Sequence, residues 1–504
     1  MGTPIPANTA PLTVWAAAAA TGGRIVRARD DGEAARGITT DSRAVLPGNA
    51  FVALHGKHYD GHDFLSAAVE SGARLLIVEN ARAISSSSVD VVEVADTLTA
   101  WGDLAHAHVR AWRRHSRDSR IFAITGSTGK TTTKELCAAL LREVDGCHAT
   151  AGNLNNRVGV PAMAFGLEPR HRFGVFEVGM SEPGEIARLG IILEPDVGVI
   201  TNVGIAHAQG LGGGRDVVAR EKGDLFAGLS ADAAAIVCFD DPAAMAQLAR
   251  TRARRVTTFG LKEGADYRIV ERAGSSFDGA RVRIVRRREA SELSVHLPLM
   301  GEGAALDFVA ALGAVESVTG PLDADVIVSA LRNHLRRPPG RMQVRRLLSG
   351  TAVLDDAYNA NPQSVRAALR TLSEVAQGRR GVVVLGEMRE LGDIAAEEHS
   401  ALGSAIVASG ARLAVSCGGL ADLAVQGAEQ AGLIVARGRD AADAAKLAVR
   451  LVAEGDVVLV KASRGVGAET VVEALVRAGG GEAGQDDTSG ALPLRRRESS
   501  EGAH

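Results

Sequence analysis

Residues Ile121-Phe122-Ala123-Ile124 run straight into Thr125-Gly126-Ser127-Thr128-Gly129-Lys130-Thr131-Thr132-Thr133, and few folds accommodate such a stretch. A buried-type apolar run ends in a glycine turn, after which Leu136, Ala139 and Leu140 recur at helical spacing. Strand, turn and helix start together make a phosphate cradle. Glycines let backbone N–H groups turn inward, the helix adds its positive end, Lys130 supplies a point charge, and the Thr131 hydroxyl can ligate Mg2+. The usual loop of this kind has four residues between its first glycine and the Gly-Lys pair. Here only Ser127 and Thr128 separate Gly126 from Gly129. Gly-Ser-Thr-Gly is also ordinary loop composition, so it is the flanking strand and helix that select the phosphate reading.

A chain of 504 residues holds roughly three domains of about 150 residues each. Its net charge of -3 excludes a whole-protein nucleic-acid-binding surface. Cys137, Cys147, Cys238 and Cys417 lack metal-ligand spacing and are expected to pack as small apolar residues in a reducing cytoplasm. The alanine run within Trp15–Thr21 is not read as a signal segment, because no Lys or Arg precedes it. No run is long and apolar enough to span a bilayer.

Compositional breaks place the domains. Arg113–Arg120 is a polar bridge into the phosphate-loop strand, Arg336-Arg337-Pro338-Pro339-Gly340-Arg341 ends a helix, and the Gly-, Ser-, Glu- and Arg-rich end reads as disordered. The expected partition is an N-terminal domain over 1–117, a central domain over 118–337, a C-terminal domain over 338–480 and a tail over 481–504. From Thr351 onward, strands and helices alternate: Val353–Leu354, Pro362–Ala376, Val382–Leu385, Glu397–Ser409, Leu413–Ser416, Leu420–Ala431, Leu433–Ala436, Ala441–Ala453, Val457–Val460 and Ala468–Ala478. That alternation predicts a parallel, doubly wound sheet with its ligand site at the carboxyl ends of the strands. The central segment is also α/β, becoming strand-rich over Tyr267–Val270 and Val282–Val285 before helices near Ala304–Val318 and Ala324–Leu335. The N-terminal segment reads as a small α/β domain with strands Val52–Leu54 and Leu75–Val78 and a helix over Asp63–Glu70.

Phosphoryl transfer depends on metal-held charge and positioning, so polar residues at neighbouring strand ends matter most. Glu177 ends one central strand and His207 follows the next, and both are candidate Mg2+ ligands beside Thr131. Lys222 lies on a helix expected over Asp216–Gly228, where a surface lysine is the default.

These segments resemble the ATP-dependent Mur ligases of peptidoglycan synthesis. The likeness rests on the phosphate loop, on Gly152-Asn153-Leu154-Asn155-Asn156-Arg157-Val158-Gly159-Val160-Pro161, on Phe176-Glu177-Val178-Gly179-Met180, and on Thr201-Asn202-Val203-Gly204-Ile205-Ala206-His207. It extends to Asp355-Asp356-Ala357-Tyr358-Asn359-Ala360-Asn361-Pro362 and to Thr40-Asp41-Ser42-Arg43, and it covers nearly the whole chain. Within the family the motifs are similar to the MurF type, which implies joining D-Ala-D-Ala to UDP-MurNAc-tripeptide through an acyl phosphate, the last cytoplasmic peptide-adding step. The resemblance implies a central P-loop-type ATP-binding domain, a C-terminal Rossmann-like domain, and a monomer that binds no nucleic acid. It further implies ATP contacts by Gly126, Ser127, Thr128, Gly129, Lys130, Thr131, Thr132, Arg341 and Asp356. Asp41, Ser42 and Arg43 would hold the uridine end of the nucleotide sugar, and Asn155 and Asn156 would face its muramoyl-peptide part. Lys130, Glu177, His207 and Lys222 would be catalytic, with Thr131, Glu177 and His207 organising Mg2+ and Lys222, carbamylated by CO2, ligating a second Mg2+.

Two segments depart from the family pattern on the adenine side. Cys238-Phe239-Asp240-Asp241 stands where Asn-x-Asp-Asp is usual, and Gly301-Glu302-Gly303-Ala304-Ala305-Leu306-Asp307 where Gly-x-His-Asn-x-x-Asn is usual. A related amide ligase of the MurE or folylpolyglutamate synthase kind, or a non-catalytic nucleotide-binding paralogue, therefore stays open beside the leading reading. Against MurE, the chain has neither Thr-Thr-Pro nor Asp-Asn-Pro-Arg at the expected places.

Overall fold

The computed structural model describes residues 3–29, 31–56, 59–84, 88–205 and 214–481, and it lays down three main sheets in chain order. The first has the spatial order Arg24–Arg27, Asp90–Glu93, Leu75–Val78, Ala50–Val52, Ile38–Thr39, with only Arg24–Arg27 antiparallel to its neighbour. The helix expected over Asp63–Glu70 is divided. Asp60 accepts from the His62 amide and winds Gly61–Phe64 into a tight 3-10 turn, and only Leu65–Glu70 is α-helical. The alanine run lies in a helix, Val14–Thr21, started by the Thr13 side chain and closed by Gly22 at φ 64°.

The central sheet has nine strands in the order Ser291–Leu297, Gly279–Arg286, Tyr267–Ser276, Arg255–Gly260, Ala234–Cys238, Val197–Ile200, Arg120–Thr125, Phe173–Glu177, Cys147–Ala149. From Cys147–Ala149 through Tyr267–Ser276 the pairs are parallel, and their near-continuous apolar runs are buried under helices on both faces. Leaving Arg120–Thr125, the chain first builds the strands on one side, Cys147–Ala149 and Phe173–Glu177, and then crosses to Val197–Ile200 on the other. The phosphate loop thus sits where the strand order reverses, the crevice in which open α/β sheets bind ligands.

The strand-rich segment is larger than its sequence suggests. Tyr267–Ser276 and Gly279–Arg286 form a long antiparallel hairpin, and Ser291–Leu297 adds a third strand that buries Leu293, Val295 and Leu297 while exposing Glu292, Ser294 and His296. That period-two alternation is the signal a strand leaves in sequence. The two helices after it are Gly301–Thr319 and Ala324–Asn333, and the first packs Phe308, Val309 and Leu312 into the same core as Leu136 and Leu140 of the phosphate-loop helix.

The C-terminal sheet runs Gln343–Arg346, Ala352–Asp356, Val457–Lys461, Gly381–Leu385, Ala411–Ser416, Ile434–Arg437. Five strands are parallel, as the alternation predicts, and Gln343–Arg346 is an antiparallel edge. The helix expected over Glu397–Ser409 is two helices, Ala395–Ser400 and Leu402–Ala408. Of the expected tail only Gly481 is among the described residues, and among those residues no single helix is long and apolar enough to cross a membrane.

Candidate functional site

Strand register sets the site. Glu177 pairs with Ile124, and Ile200 pairs with Thr125, so Glu177 and the Thr201-Asn202 step flank the start of the glycine loop. Asn202 Oδ1 accepts the Thr128 amide at 3.0 Å, its Nδ2 donates to the Thr128 hydroxyl at 2.8 Å, and its carbonyl accepts the Ser127 amide at 3.0 Å. Thr201 Oγ1 donates to the Thr128 carbonyl at 2.6 Å. A Cβ on Gly126, which sits at φ 155°, would collide with that same Thr201 hydroxyl. The first half of the loop is thereby stapled to the next strand. Ser127 and Thr128, expected to hold phosphate, spend their amides on Asn202. The helix's own first bond runs from the Thr133 amide to the Gly129 carbonyl at 2.8 Å, so the amides of Lys130, Thr131 and Thr132 precede the ladder and are the anion donors of the cradle. Lys130 Nζ donates to the Gly126 carbonyl at 2.8 Å and bridges the loop mouth.

Glu177 is where the site converges. It is 2 % exposed, accepts from Thr131 Oγ1 at 2.7 Å on one oxygen, and accepts from Asn155 Nδ2 at 2.8 Å on the other. Burial opposes its charge, but Lys130, Arg341 and these two donors outweigh it and hold the carboxyl below its usual range. Lys222 is fully buried on the helix Arg215–Ala227, where burial, and then the charge of Lys130, push its amine well below the usual lysine range. A neutral amine is the nucleophilic form. His207 lies outside the described residues. Among the described residues no three His, Cys, Asp or Glu side chains form a ready cation site. Thr131 and Glu177 do present two buried oxygen donors side by side, which suits a hard divalent cation once further oxygens are supplied.

The C-terminal domain contributes from above. The Arg341 guanidinium lies 4.4 Å from the centre of the Tyr358 ring, and that of Arg464 lies 5.3 Å away. Arg341 is close enough to shift Lys130 and Glu177 electrostatically. Asp356, expected to face ATP, accepts from Lys461 Nζ at 2.5 Å and from the Met342 amide at 3.2 Å. Asn361 caps the helix Pro362–Ala376 in a capping box with Ser364 and also reaches across to donate to the Ser127 carbonyl at 3.3 Å. A cavity beside Thr132 is lined by Phe277, Pro298, Met300, Ala304 and Leu335, with Arg336, Arg337 and Arg341 also in its wall.

The remaining candidates divide. Arg43 pairs with Asp41 at 2.8 Å and is otherwise exposed, while Asp41 caps the short turn Ser42–Ala44. Asn156 turns its Oδ1 onto the amides of Val158 and Gly159, so its side chain is a local cap, whereas Asn155 joins the loop to Glu177. In the segment where Cys238 departs from the family pattern, the retained Asp240 and Asp241 are structural. Asp240 accepts the Leu261 and Lys262 amides, and Asp241 accepts the Val203 amide at 2.7 Å and pairs with Arg215.

Asn202, Tyr358, Lys461 and Asp307 escape a reading by motif role. Asn202 and Tyr358 stand inside quoted motifs, and their signal is the strand end each follows. Asp307 ends the departing segment 301–307, but only the tertiary fold brings its carboxyl against Gly129.

Three family domains match the chain in order: the Mur ligase family catalytic domain at residues 35–108, the Mur ligase middle domain at 124–315, and the Mur ligase glutamate ligase domain at 340–464. The UDP-N-acetylmuramoyl-tripeptide–D-alanyl-D-alanine ligase of Escherichia coli is 34 % identical over 450 residues, covering 87 % of this chain and 93 % of that protein. A crystal structure of MurF from Acinetobacter baumannii superposes with a TM-score of 0.84 at 30 % identity, covering 93 % of this chain and 99 % of the other. MurF ligase from Thermotoga maritima in complex with ADP superposes with a TM-score of 0.76 at 28 % identity, covering 88 % and 97 %.

Proposed function

The chain belongs to the Mur ligase family, and from that premise we infer that the cleft around Glu177 is where it activates a carboxylate with ATP and passes it to an amine. It is a ligase of the MurF type, joining D-alanyl-D-alanine to UDP-N-acetylmuramoyl-tripeptide. A carboxylate oxygen is too poor a leaving group for an amine to displace. The tripeptide carboxylate therefore attacks the γ-phosphate of ATP, ADP leaves, and the dipeptide amine displaces phosphate through a tetrahedral intermediate.

Each residue has a task in that sequence. The helix amides of Lys130, Thr131 and Thr132 hold the phosphate chain, and the Lys130 ammonium faces the charge that builds on the transferring group. Arg341, braced on Tyr358, brings a second positive charge from the C-terminal domain. Bound Mg2+ would neutralise phosphate charge; we assign Thr131, Glu177 and His207 to one ion and a carbamate on Lys222 to a second. Burial shifts the Lys222 amine toward its uncharged form, which suits attack on CO2, and the product would be a carboxylate-like oxygen donor where the described residues leave the donor set incomplete. We place the purine in the cavity beside Thr132. There Ala304 stands where the family carries an amide, and apolar packing against Pro298 and Met300 replaces it. Asp41, Ser42 and Arg43 are assigned to the uridine end, and Asn155 with Asn156 to the loop that meets the muramoyl peptide. We assign these roles to a monomer in the cytoplasm divided at 1–117, 118–337 and 338–480, a compartment that suits its four free cysteines.

The observation that carries this reading is the convergence on Glu177 of the phosphate-loop hydroxyl of Thr131 and the substrate-loop amide of Asn155. One carboxylate thereby links the nucleotide side to the acceptor side. The test is phosphate release with ATP, Mg2+, UDP-MurNAc-tripeptide and D-Ala-D-Ala. Release is expected only when both peptide substrates are present. Nucleotide binding with no release under saturating conditions would overturn the ligase in favour of a binding-only paralogue.

A further inference from the structure

We propose that Thr150 and Lys134 are positioning residues that fix Glu177 against the phosphate loop, a role that rests on the reading of Glu177 as the cation-holding carboxylate. The edge strand Cys147–Ala149 pairs only as far as Val175 and leaves the sheet before Glu177. The Glu177 amide therefore has no ladder partner on that side, and the Thr150 hydroxyl takes its place, accepting from Glu177 N–H at 3.0 Å. The Thr150 amide meanwhile donates to the Val175 carbonyl at 3.0 Å. One side chain thus extends the sheet by the single bond that holds the residue carrying the site's carboxylate.

Thr150 is itself braced from behind. Its carbonyl accepts from Lys134 Nζ at 2.8 Å, and Lys134 is 1 % exposed with Glu135 as its counter-ion. Burying an ammonium costs free energy that only good pairing offsets, and an apolar side chain would fill a helix–sheet contact without that cost. Lys134 also follows Thr131 by three residues, so both project from the same face of the helix Lys130–Val144. Thr131 reaches the Glu177 carboxylate directly, and Lys134 reaches the Glu177 backbone through Thr150. Two struts from one helix set the distance between the phosphate loop and Glu177. Thr150 is 2 % exposed and Lys134 1 %, so the strut through Thr150 is closed off from solvent.

The test compares Thr150→Val, which keeps shape and loses the hydroxyl, with Thr150→Ser, which keeps the hydroxyl, in the full chain. It adds Lys134→Met and the double variant. Readouts are kcat, KM for each substrate, the Mg2+ concentration at half-maximal rate, calorimetric affinity for ADP with and without Mg2+, and melting temperature. T150V is expected to lower kcat by about tenfold or more, to raise the Mg2+ requirement, and to weaken ADP binding only when Mg2+ is present. T150S should stay close to the parent chain, and K134M should match T150V with little further loss in the double variant, as residues in one chain of contacts do. The proposal is overturned if T150V and T150S behave alike, or if T150V lowers only the melting temperature and leaves Mg2+-dependent ADP binding unchanged. Should K134M fail to fold, the Thr150 pair decides alone. Glu177→Gln run alongside separates the two claims: an unaltered Mg2+ requirement in E177Q would sink the reading of Glu177 itself, whatever Thr150 does.

Discussion

The Asp307 carboxyl sits on the spot that a side chain at Gly129 would fill. Gly129 has φ 81°, a left-handed conformation that side chains resist, so two independent constraints select glycine there. Gly129→Ala is expected to destabilise the chain by roughly 1–3 kcal/mol and to abolish tight ATP binding. Asp307→Ala added to it should recover the steric part of the stability and leave the backbone part. Chemical denaturation of the two single variants and the double variant checks this, and no recovery in the double variant would show that the Asp307 contact carries none of the cost.

The same carboxyl gives a pH signature. Burial outweighs the lowering effect of nearby Thr133, Arg341 and Thr132 and leaves Asp307 raised to about 8. The unfolded chain releases this proton near 3.8, so between that value and about 8 the folded chain holds more protons. Stability then falls as pH rises through that window and levels off above it. Asp307→Asn removes the loss. Its melting temperature in the nucleotide-free protein should match the parent near about pH 4 and exceed it increasingly up to about pH 8. A difference that stays constant over the range would refute the buried carboxyl as its cause.

Much of the fold is legible because parallel sheets write themselves as apolar runs alternating with amphipathic helices, as from Ala352–Asp356 to Glu469–Ala478. The phosphate loop is legible for the same reason, since strand, glycine turn and helix are contiguous. What sequence cannot give is the partner assigned by register. Asn155 reads as a residue facing substrate, yet its amide is held by Glu177, and Ser127 and Thr128 read as phosphate donors, yet their amides belong to Asn202. Thr150 carries no local signal at all, because its role follows from where the edge strand leaves the sheet.

Lys222 separates a structural lysine from a chemical one. Burial, and then the charge of Lys130, push its amine well below the usual lysine range, toward the uncharged form able to capture CO2. Lys222→Ala should lose activity by at least about a hundredfold, and short-chain carboxylic acids added to that variant should restore part of it by supplying the missing oxygens. Stripping bicarbonate from the parent enzyme should lower its rate reversibly. A fully active Ala variant would sink the carbamate.

The hairpin that the sequence underestimates reaches the C-terminal domain, and there Arg272 meets Glu374 through two hydrogen bonds of 2.6 and 2.7 Å. Gln377 Nε2 adds a bond to the Ser275 carbonyl at 2.7 Å, and the Arg379 guanidinium lies 5.5 Å from the centre of the Phe277 ring at the hairpin tip. A paired, half-buried guanidinium–carboxylate fork holds orientation as well as charge. Because Arg341 and Asn361 reach the phosphate loop only while the C-terminal domain stays docked, weakening the fork should act on nucleotide capture more than on the chemical step. Glu374→Ala is expected to raise KM for ATP by about three- to tenfold, the cost of one good charged pair, with kcat at saturating ATP little changed. Small-angle scattering of the nucleotide-free variant should show a larger radius of gyration than the parent, and ADP with Mg2+ should bring the two together. A fall in kcat with KM unmoved would place the fork's effect on the reacting groups rather than on domain docking.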